Sequence, residues 1–477
     1  MINRKIIQYL ALACILFVFQ ACSIPALVEK TENRALPGNY RNSQDTTNSA
    51  KVDWRDYFTD AYLYDLIETA LKNNQELNIV QQEINISQNE VMARKGEYLP
   101  FVNVQGATGV EKVGRYTSQG ANDANTEIRP GREFPDPLPD FMLAGYASWE
   151  VDIWKKLRNA KKSALTRYLS SVEGKNFLVT QLVAEVAGSY FELMALDNQL
   201  ENVRRTIEIQ QNVLKIIKLQ KQAAKVTELA VRKFEAEVLK NQSLQYALLQ
   251  EITETENRIN FLLGRYPQPI QRNSQNFTEM VPEAIFEGIP SQLLANRPDI
   301  RQAELELAAS KLDVQVARAE FYPSLRLTAG LGLQAFNPKL LVTTPESILF
   351  NLAGDMVMPA INRNAIKANY YSANSRQIQA VYSYEQSVLN AYIEVVNQLS
   401  NVSNLESSYQ LKVSQVNTLT ESVDIATRLF QSARADYMEI LLTQRDALEA
   451  RMEMIETKKQ QMDAMVRIYQ ALGGGWN

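Results

Sequence analysis

Four segments of the chain alternate between apolar and polar residues with the two-residue period of a β-strand. In the third segment, Arg326, Thr328 and Gln334 fall on one side of an extended chain, and leucines fall on the other. Because successive side chains of a strand point to opposite faces, this pattern predicts strands with one apolar and one polar face. The predicted strands are residues 101–113, where the alternation is weakest, 143–153, 324–336 and 347–358.

The apolar faces of these strands carry the residues that we expect to meet lipid. Each segment is about ten residues long, and a tilted strand needs about 9 to 11 residues to cross a bilayer. A half-buried sheet in a water-soluble protein alternates in the same way, so that alternative stays open. The candidate lipid-facing residues are Leu325, Leu327, Leu331, Leu333, Phe350 and Leu352.

Four strands are too few to close a barrel in a membrane. The smallest spanning barrels have about eight strands, and an open sheet edge in lipid leaves backbone groups without hydrogen bonds. If the strands span a bilayer, several identical chains must therefore share one barrel.

Two long stretches of the chain lack helix-breaking residues. Residues 140–266 contain no Pro, and residues 360–472 contain neither Pro nor Gly, so both are predicted to be almost wholly helical. The predicted helices are one over residues 291–319, long ones over about 153–219 and 363–429, and return helices over about 226–263 and 436–472. Each long helix would reach about 100 Å at a rise of about 1.5 Å per residue. That length exceeds a compact domain and favours a wall of packed helices, with an ordinary elongated bundle as the alternative.

The chain contains an internal duplication. Asn73–Pro100 aligns without a gap on Asn296–Pro323, and Thr227–Leu229 aligns on Asp436–Met438. Each half therefore has the order helix, strand, strand, long helix, turn, return helix. After a signal segment over residues 1–21, the two predicted repeats are residues 22–270 and 271–477.

The N-terminus has the pattern of a secretory signal. Arg4 and Lys5 precede an apolar run from Ile6 to Phe19, which is shorter than the roughly 20 residues of a membrane-spanning helix. Cys22 follows a small residue at the expected cleavage point. This pattern predicts a lipoprotein that is acylated on Cys22, with a plain signal peptide cut nearby as the alternative.

The composition excludes several kinds of chemistry. Histidine is absent, and the only cysteines are Cys14 and Cys22, so a Zn or Cu site, a Ser-His-Asp triad and a Cys-His pair are all excluded. The chain has no Gly-rich phosphate loop and no Gly-x-Ser-x-Gly turn. Its net charge of -4 comes with scattered Lys and Arg, which gives no basic patch for nucleic acid. We therefore expect no enzyme, no cofactor and no nucleic-acid partner.

Five motifs, taken in order, resemble signatures of one family. They are Trp149–Trp154, Val183–Ala187 with Tyr190 beyond it, Arg297–Arg301, Ala317–Ser324 and Leu472–Trp476. Together they resemble the TolC-like outer-membrane factors, in the lipoprotein branch that serves RND-type efflux pumps. The resemblance covers nearly the whole chain after the signal segment.

The resemblance implies both the fold and the function. Members of the family form homotrimers in which a 12-stranded β-barrel, four strands per chain, sits in the outer membrane and continues as a long periplasmic α-helical barrel. The channel would dock with a periplasmic adaptor and an inner-membrane RND-type transporter, and conduct drugs, detergents and other toxic solutes outward. Export of polypeptides by type I secretion uses the same architecture and stays an alternative. A periplasmic coiled-coil scaffold lipoprotein that never enters the membrane is the second alternative.

The resemblance also implies roles for the turns between long and return helices, which form the periplasmic tip. The residues implied to contact the adaptor are Ala224, Lys225, Thr227, Glu228, Ala433, Arg434, Asp436 and Tyr437. The residues implied to narrow the pore are Arg428, Phe430 and Glu439, although Glu439 also suits a solvated helix face. The family usually has Gly where this chain has Ala224 and Ala433, and Gly permits a left-handed turn. The change in both repeats predicts a matched change in the adaptor.

Overall fold

A computed structural model describes residues 24–40, 46–281, 286–359, 361–432 and 434–476. The predicted acylation site, Cys22, lies outside the described residues. The chain divides into two compact units, each assembled from segments that are distant in sequence. Among the described residues, the first unit contains 24–31, 85–169 and 305–381, and the second contains those within 32–84, 170–304 and 382–476.

The first unit contains a four-stranded antiparallel sheet. Its strands are β1 (Phe101–Glu111), β2 (Leu138–Val151), β3 (Ser324–Ala335) and β4 (Ile348–Val357), and their order in the sheet follows their order in the chain. Within the described part of the chain, β1 and β4 are therefore the two edges. A short separate hairpin pairs Glu127–Arg129 with Arg132–Glu133.

The register of the sheet sorts apolar and polar residues onto opposite faces. Leu331 of β3 lies opposite Gly145 of β2 and Phe350 of β4, and the same face carries the neighbouring leucines of β3. Arg326 lies opposite Glu150 and Asp355 on the other face. Directly opposed residues in a sheet share a face, so the alternation found in separate segments becomes one apolar and one polar surface.

The helices match the predicted order, with small differences at their ends. They are α1 (Ala61–Asn73), α2 (Gln75–Tyr98), α3 (Lys156–Gln222), α4 (Glu228–Leu262), α5 (Pro298–Ala319), α6 (Asn364–Gln431) and α7 (Tyr437–Leu472). Short α-helices occupy Trp54–Tyr57, Ser118–Asp123 and Leu293–Asn296. Over the described ranges, none of the helices combines the length and the apolar character that a membrane span requires.

The second strand was predicted over residues 143–153, but β2 begins earlier, at Leu138, and ends at Val151. Two helix boundaries also differ from the prediction, for identifiable reasons. The first long helix was expected from about residue 153, but the Asp152 carboxylate accepts hydrogen bonds from the backbone N–H of Leu157 and Arg158, so Asp152 serves as the cap and α3 begins at Lys156. The helix expected over residues 291–319 is broken at Arg297, because Pro298 is tolerated only in the first turn of a helix.

The core of the second unit lies between the long and return helices. Tyr190 and Val203 of α3, Ile259 of α4 and Ile67 of α1 are each 0 % exposed, and Tyr469 of α7 is 2 % exposed. Burial of such side chains contributes about 1.5 to 3 kcal/mol each. The second unit is therefore stabilised chiefly by contacts between helices of both repeats.

Two of the family-like motifs pack against each other in the second unit. The buried Arg297 side chain donates from Nη1 to the carbonyl of Ala471 at 2.9 Å, and the Trp476 indole N–H donates to the carbonyl of Asn296 at 3.1 Å. Gly473 ends α7 with φ +96°, and an added Cβ there would lie 2.7 Å from the Asn296 carbonyl. The C-terminal Gly-rich motif thus lets the chain end approach the start of α5.

Candidate functional sites: the sheet faces and the helix-to-helix turns

The apolar face of the sheet is open in a single chain. Phe350 and Leu352 are each 80 % exposed and Leu331 is 67 % exposed, while Leu327 lies at 37 %. The other two candidate lipid-facing residues, Leu325 and Leu333, are half-buried on the same face. A contiguous exposed apolar surface of this kind marks contact with a membrane or another protein.

On the polar face, Gly330 and Gly332 of β3 both leave too little room for a Cβ atom, which at Gly332 would lie 2.4 Å from the Cβ of Ala144. Gly330 lies opposite Tyr146 and Asn351, and an added Cβ would be 2.3 Å from Asn351 Oδ1 and 2.9 Å from the Tyr146 ring. Gly330 belongs to none of the motifs or candidate sites predicted from the sequence. A Gly inside a strand is the available signal, since it marks close approach of another group.

The first helix-to-helix turn is closed by a left-handed residue. Ala224 has φ +53°, its N–H donates to the carbonyl of Lys221, and the N–H of Lys225 donates to the carbonyl of Gln220, both at 2.9 Å. This pair of bonds is the Schellman arrangement, in which Gly is the usual left-handed residue. The Thr227 hydroxyl then accepts from the backbone N–H of Ala230 and caps α4.

The second helix-to-helix turn shares one of these two bonds. The N–H of Arg434 donates to the carbonyl of Leu429 at 2.8 Å, which matches the bond made by Lys225. The Asp436 carboxylate caps α7 by accepting from the N–H of Tyr437 at 2.6 Å. The predicted contact residue Ala433 lies outside the described residues.

An apolar cluster, here called the tip cluster, packs beneath both turns. It consists of Val213, Ile217, Ala230, Val231, Phe234, Ala426, Phe430, Ile440 and Leu441. Phe430 is only 7 % exposed, and Tyr437 packs against the cluster from its edge. Because the Phe430 side chain fills the interior of its own chain's tip, we assign it to packing and not to narrowing of a pore.

The remaining predicted tip residues are solvent-exposed. Arg428 donates from Nε to the carbonyl of Asp424 on its own helix at 3.3 Å, and the exposed Glu439 lies in the first turn of α7. Glu228 pairs with Lys221 and, at 2.8 Å, with Arg232. The hydrogen bond from Lys221 and the nearby positive charges lower the pKa of Glu228, so this carboxylate stays ionised.

Comparison with known proteins identifies the family to which the chain belongs. Residues 66–265 and 289–474 match the family model described as outer membrane efflux protein, so the chain belongs to that family. It is an outer-membrane transport channel protein and not an enzyme. The family and fold class that the sequence motifs predicted are thereby confirmed.

Individual relatives and structures are similar over nearly the whole chain. The pyoverdine export outer membrane protein OpmQ of Pseudomonas putida is 27% identical over 458 residues, which are 96% of this chain and 95% of that protein. The cation efflux system protein CusC of Escherichia coli K12 is 25% identical over 469 residues, or 97% and 98%. The open state of the MtrE outer membrane channel of Neisseria gonorrhoeae superposes with a TM-score of 0.82 at 21% identity, covering 95% of this chain and 98% of that one.

Proposed function

We propose that three copies of the chain form one outer-membrane efflux channel, with their four-stranded sheets pooled into a 12-stranded barrel. The observation that carries this proposal is the sheet itself, which is apolar on one face, polar on the other and unpaired at β1 and β4 in the described part of the chain. In lipid, every backbone group must find a partner. Closure by further copies supplies those partners.

The strand directions permit this closure. Each strand is antiparallel to the next, so β1 and β4 run in opposite directions. The β1 edge of one chain can therefore continue the antiparallel ladder from the β4 edge of its neighbour. The apolar faces would then meet lipid and the polar faces would line the lumen.

The contacts of the N-terminal segment support a lipid anchor on Cys22. Ile24 and Leu27 pack on a cluster that contains Phe321 and Tyr370, close in sequence to the start of β3. The segment that follows Cys22 in sequence therefore packs near the start of β3. A lipid on Cys22 would anchor this end of the chain in the periplasmic leaflet of the outer membrane.

Aromatic side chains mark the same end of the sheet. Trp154 stacks on Tyr322 with ring centroids 4.5 Å apart, and its indole N–H donates to the carbonyl of Pro323 at 2.8 Å. In membrane barrels, Trp and Tyr are enriched at the interfaces between the hydrocarbon core of the membrane and water. This position suits the periplasmic boundary of the membrane.

In the proposed complex, the channel passively conducts solutes that an inner-membrane RND-type transporter and a periplasmic adaptor deliver to its helical tube. Drugs, detergents and other toxic small molecules are the proposed cargo. The names of two relatives, which specify pyoverdine export and cation efflux, support small solutes over polypeptides. The exposed helix-to-helix turns are the proposed adaptor contacts, and exposed Arg428 and Glu439 are the proposed polar residues at the pore.

The test combines oligomeric mass with conductance in planar bilayers. The purified, detergent-extracted protein should have the mass of three subunits and insert as a cation-preferring channel. Leu331→Arg places a charge on the lipid-facing side and should cost about 2 to 4 kcal/mol per chain near mid-bilayer, which blocks assembly. Thr328→Arg, on the polar face of the same strand, is the matched control and should still assemble and conduct.

Equal trimer yield from both arginine variants would contradict the membrane orientation and favour the scaffold alternative. Type I secretion would be favoured by two results together. A polypeptide substrate would block the conductance, and deletion of the protein would leave small-solute efflux unchanged.

A further inference from the structure

Three buried amide side chains interrupt the apolar interior between the tip cluster and the core of the second unit. They are Gln210 of α3, Asn241 of α4 and Gln444 of α7, which are 0 %, 1 % and 5 % exposed. Asn and Gln lie mostly at protein surfaces, so three such residues inside one group of helices need an explanation. We call them the amide layer.

The amide layer lies between two apolar clusters on each helix that carries it. On α3, Gln210 is three residues from Ile207 of the core and three residues from Val213 of the tip cluster. The flanking residues on the other two helices are Phe234 and Leu248 on α4, and Leu441 and Leu448 on α7. Residues three or four apart lie on one face of a helix, so the amides of α3 and α7 share a face with their apolar neighbours.

The amide layer is only partly hydrogen-bonded. Asn241 Nδ2 donates to Gln210 Oε1 at 2.8 Å, which joins α3 and α4, the two helices of the first hairpin, at this level. Gln210 Nε2 and both amide atoms of Gln444 have no hydrogen-bond partner among the residues that the structure describes. A buried donor or acceptor without a partner is unfavourable, because it has lost its hydrogen bonds to water. Packing at the layer is therefore weaker than in the apolar clusters on either side.

A buried polar layer can fix the alignment of helices or can allow them to separate. Fixing the alignment requires paired groups, because a fully bonded network holds one arrangement. In the amide layer, the unpartnered atoms favour separation, since Gln210 and Gln444 gain hydrogen bonds when the helices part enough to admit water. The same movement within either apolar cluster would expose apolar surface and gain no hydrogen bond. Separation is therefore easiest at the layer.

We propose that the amide layer is a hinge, at which the tip cluster and the two turns move as one body relative to the core of the second unit. This inference rests on the proposed function, because it places the hinge in the helical tube of a channel. Movement at the layer would change the width of the tube at the turns and leave both apolar clusters intact. Hinges of this kind absorb a large displacement within a few residues.

The experiment measures distances between spin labels on the full-length trimer in lipid nanodiscs, by double electron–electron resonance. Cys14 lies in the predicted signal segment and Cys22 is the predicted acylation site, so an added cysteine supplies the reactive thiol. Ala236→Cys and Ala247→Cys place labels at exposed positions of α4 on either side of Asn241. These positions are eleven residues apart, about three helical turns, and so lie on one face of the helix.

The wild-type trimer should give a distribution of distances about twofold wider at position 236, on the tip side of the hinge, than at position 247. The layer variant combines Gln210→Met, Asn241→Leu and Gln444→Met, which keep the approximate shape of each side chain and remove its polar atoms. In this variant the width at position 236 should fall to that at position 247. The control, Gln211→Met with Gln460→Met, changes exposed amides of α3 and α7 and should keep the wild-type widths.

Equal widths at the two positions of the wild-type trimer, or an unchanged width at position 236 in the layer variant, would overturn the hinge. A wider distribution in the layer variant would also overturn it, because the amides would then fix the alignment of the helices. If the layer variant forms no trimer, Gln444→Met alone decides, since Gln444 makes no hydrogen bond through its amide; it should narrow the distribution at position 236, and no narrowing would contradict the proposal.

Conductance and oligomeric mass are measured on the same preparations. A conducting trimer with equal widths at the two positions removes this inference alone, whereas a non-conducting monomer removes the proposed function.

Discussion

Removal of the Arg297 side chain should destabilise the second unit more than any exposed ion pair does. Arg297 is 7 % exposed and donates to both carboxylate oxygens of Asp299, at 3.0 and 2.8 Å, to Glu394 at 2.7 Å and to the carbonyl of Ala471. Burial alone would lower the pKa of Arg297, but its hydrogen bonds to Asp299 and the charges of both carboxylates raise it. The guanidinium therefore joins the start of α5 to α6 and to the end of α7.

The expected loss of folding free energy depends on the carboxylates that Arg297→Ala leaves unpaired. Removing one partner of a buried ion pair costs about 3 to 5 kcal/mol. Glu394 is 43 % exposed and can regain water, whereas Asp299 is 21 % exposed, so we expect the lower end of that range, about 3 kcal/mol. Arg297→Lys keeps the charge but cannot form the bidentate hydrogen bond with Asp299. It should therefore cause a smaller loss of folding free energy than Arg297→Ala.

Chemical denaturation of the detergent-extracted protein, followed by helical circular dichroism, measures the free energy of unfolding. Arg94→Ala is the control, because Arg94 pairs with Glu90 and Glu97 while all three side chains are 41 % or more exposed. Exposed pairs contribute about 0 to 1 kcal/mol. A loss for Arg297→Ala no larger than that for Arg94→Ala would refute the assigned role of Arg297.

Three further predictions concern single positions. Gly330→Ala should lower trimer yield on native gels because the added methyl group meets Asn351 and Tyr146, whereas Gly145→Ala, whose nearest neighbour would be 3.8 Å away, should not. Ala224→Gly should relieve the left-handed strain by less than about 1 kcal/mol and slow hydrogen exchange at the Lys225 amide; faster exchange would contradict this. Burial raises the pKa of Asp463 to about 6, against the lowering effect of Lys459 and Arg467, so ionisation of this carboxylate opposes folding at neutral pH. Asp463→Asn should therefore raise the free energy of unfolding by about 3 kcal/mol at pH 7.5, and this gain should decrease as the pH falls from 6 towards 4. An equal gain at pH 6 and pH 4 in thermal melts would contradict this explanation.

Periodic and compositional signals predicted most of the architecture. The alternation in residues 324–336 places Leu327 and Arg326 on opposite faces of β3, as the pairing shows, because a strand's period is fixed by its geometry. The stretch without Pro or Gly after residue 360 contains α6 and α7, because few other residues interrupt a helix.

The sequence patterns did not predict contacts between residues that are distant in sequence. Arg297 was identified only as part of a family-like motif, and its contacts with Glu394 and Ala471 join segments 97 and 174 residues away. The family resemblance implies that Phe430 narrows the pore, but its side chain packs in the tip cluster of its own chain. Local sequence determines where a turn occurs, but burial depends on what the rest of the chain brings against it.

Lys221 and Phe430 show that the two hairpins of the duplication have diverged. The two residues occupy matched positions, yet the Lys221 side chain is 47% exposed and pairs with Glu228, whereas Phe430 is buried in the tip cluster. A buried aromatic side chain contributes to packing inside its own chain, whereas an exposed Lys in a surface ion pair contributes little to stability. The two hairpins of the duplication therefore differ in surface and in packing at a matched position.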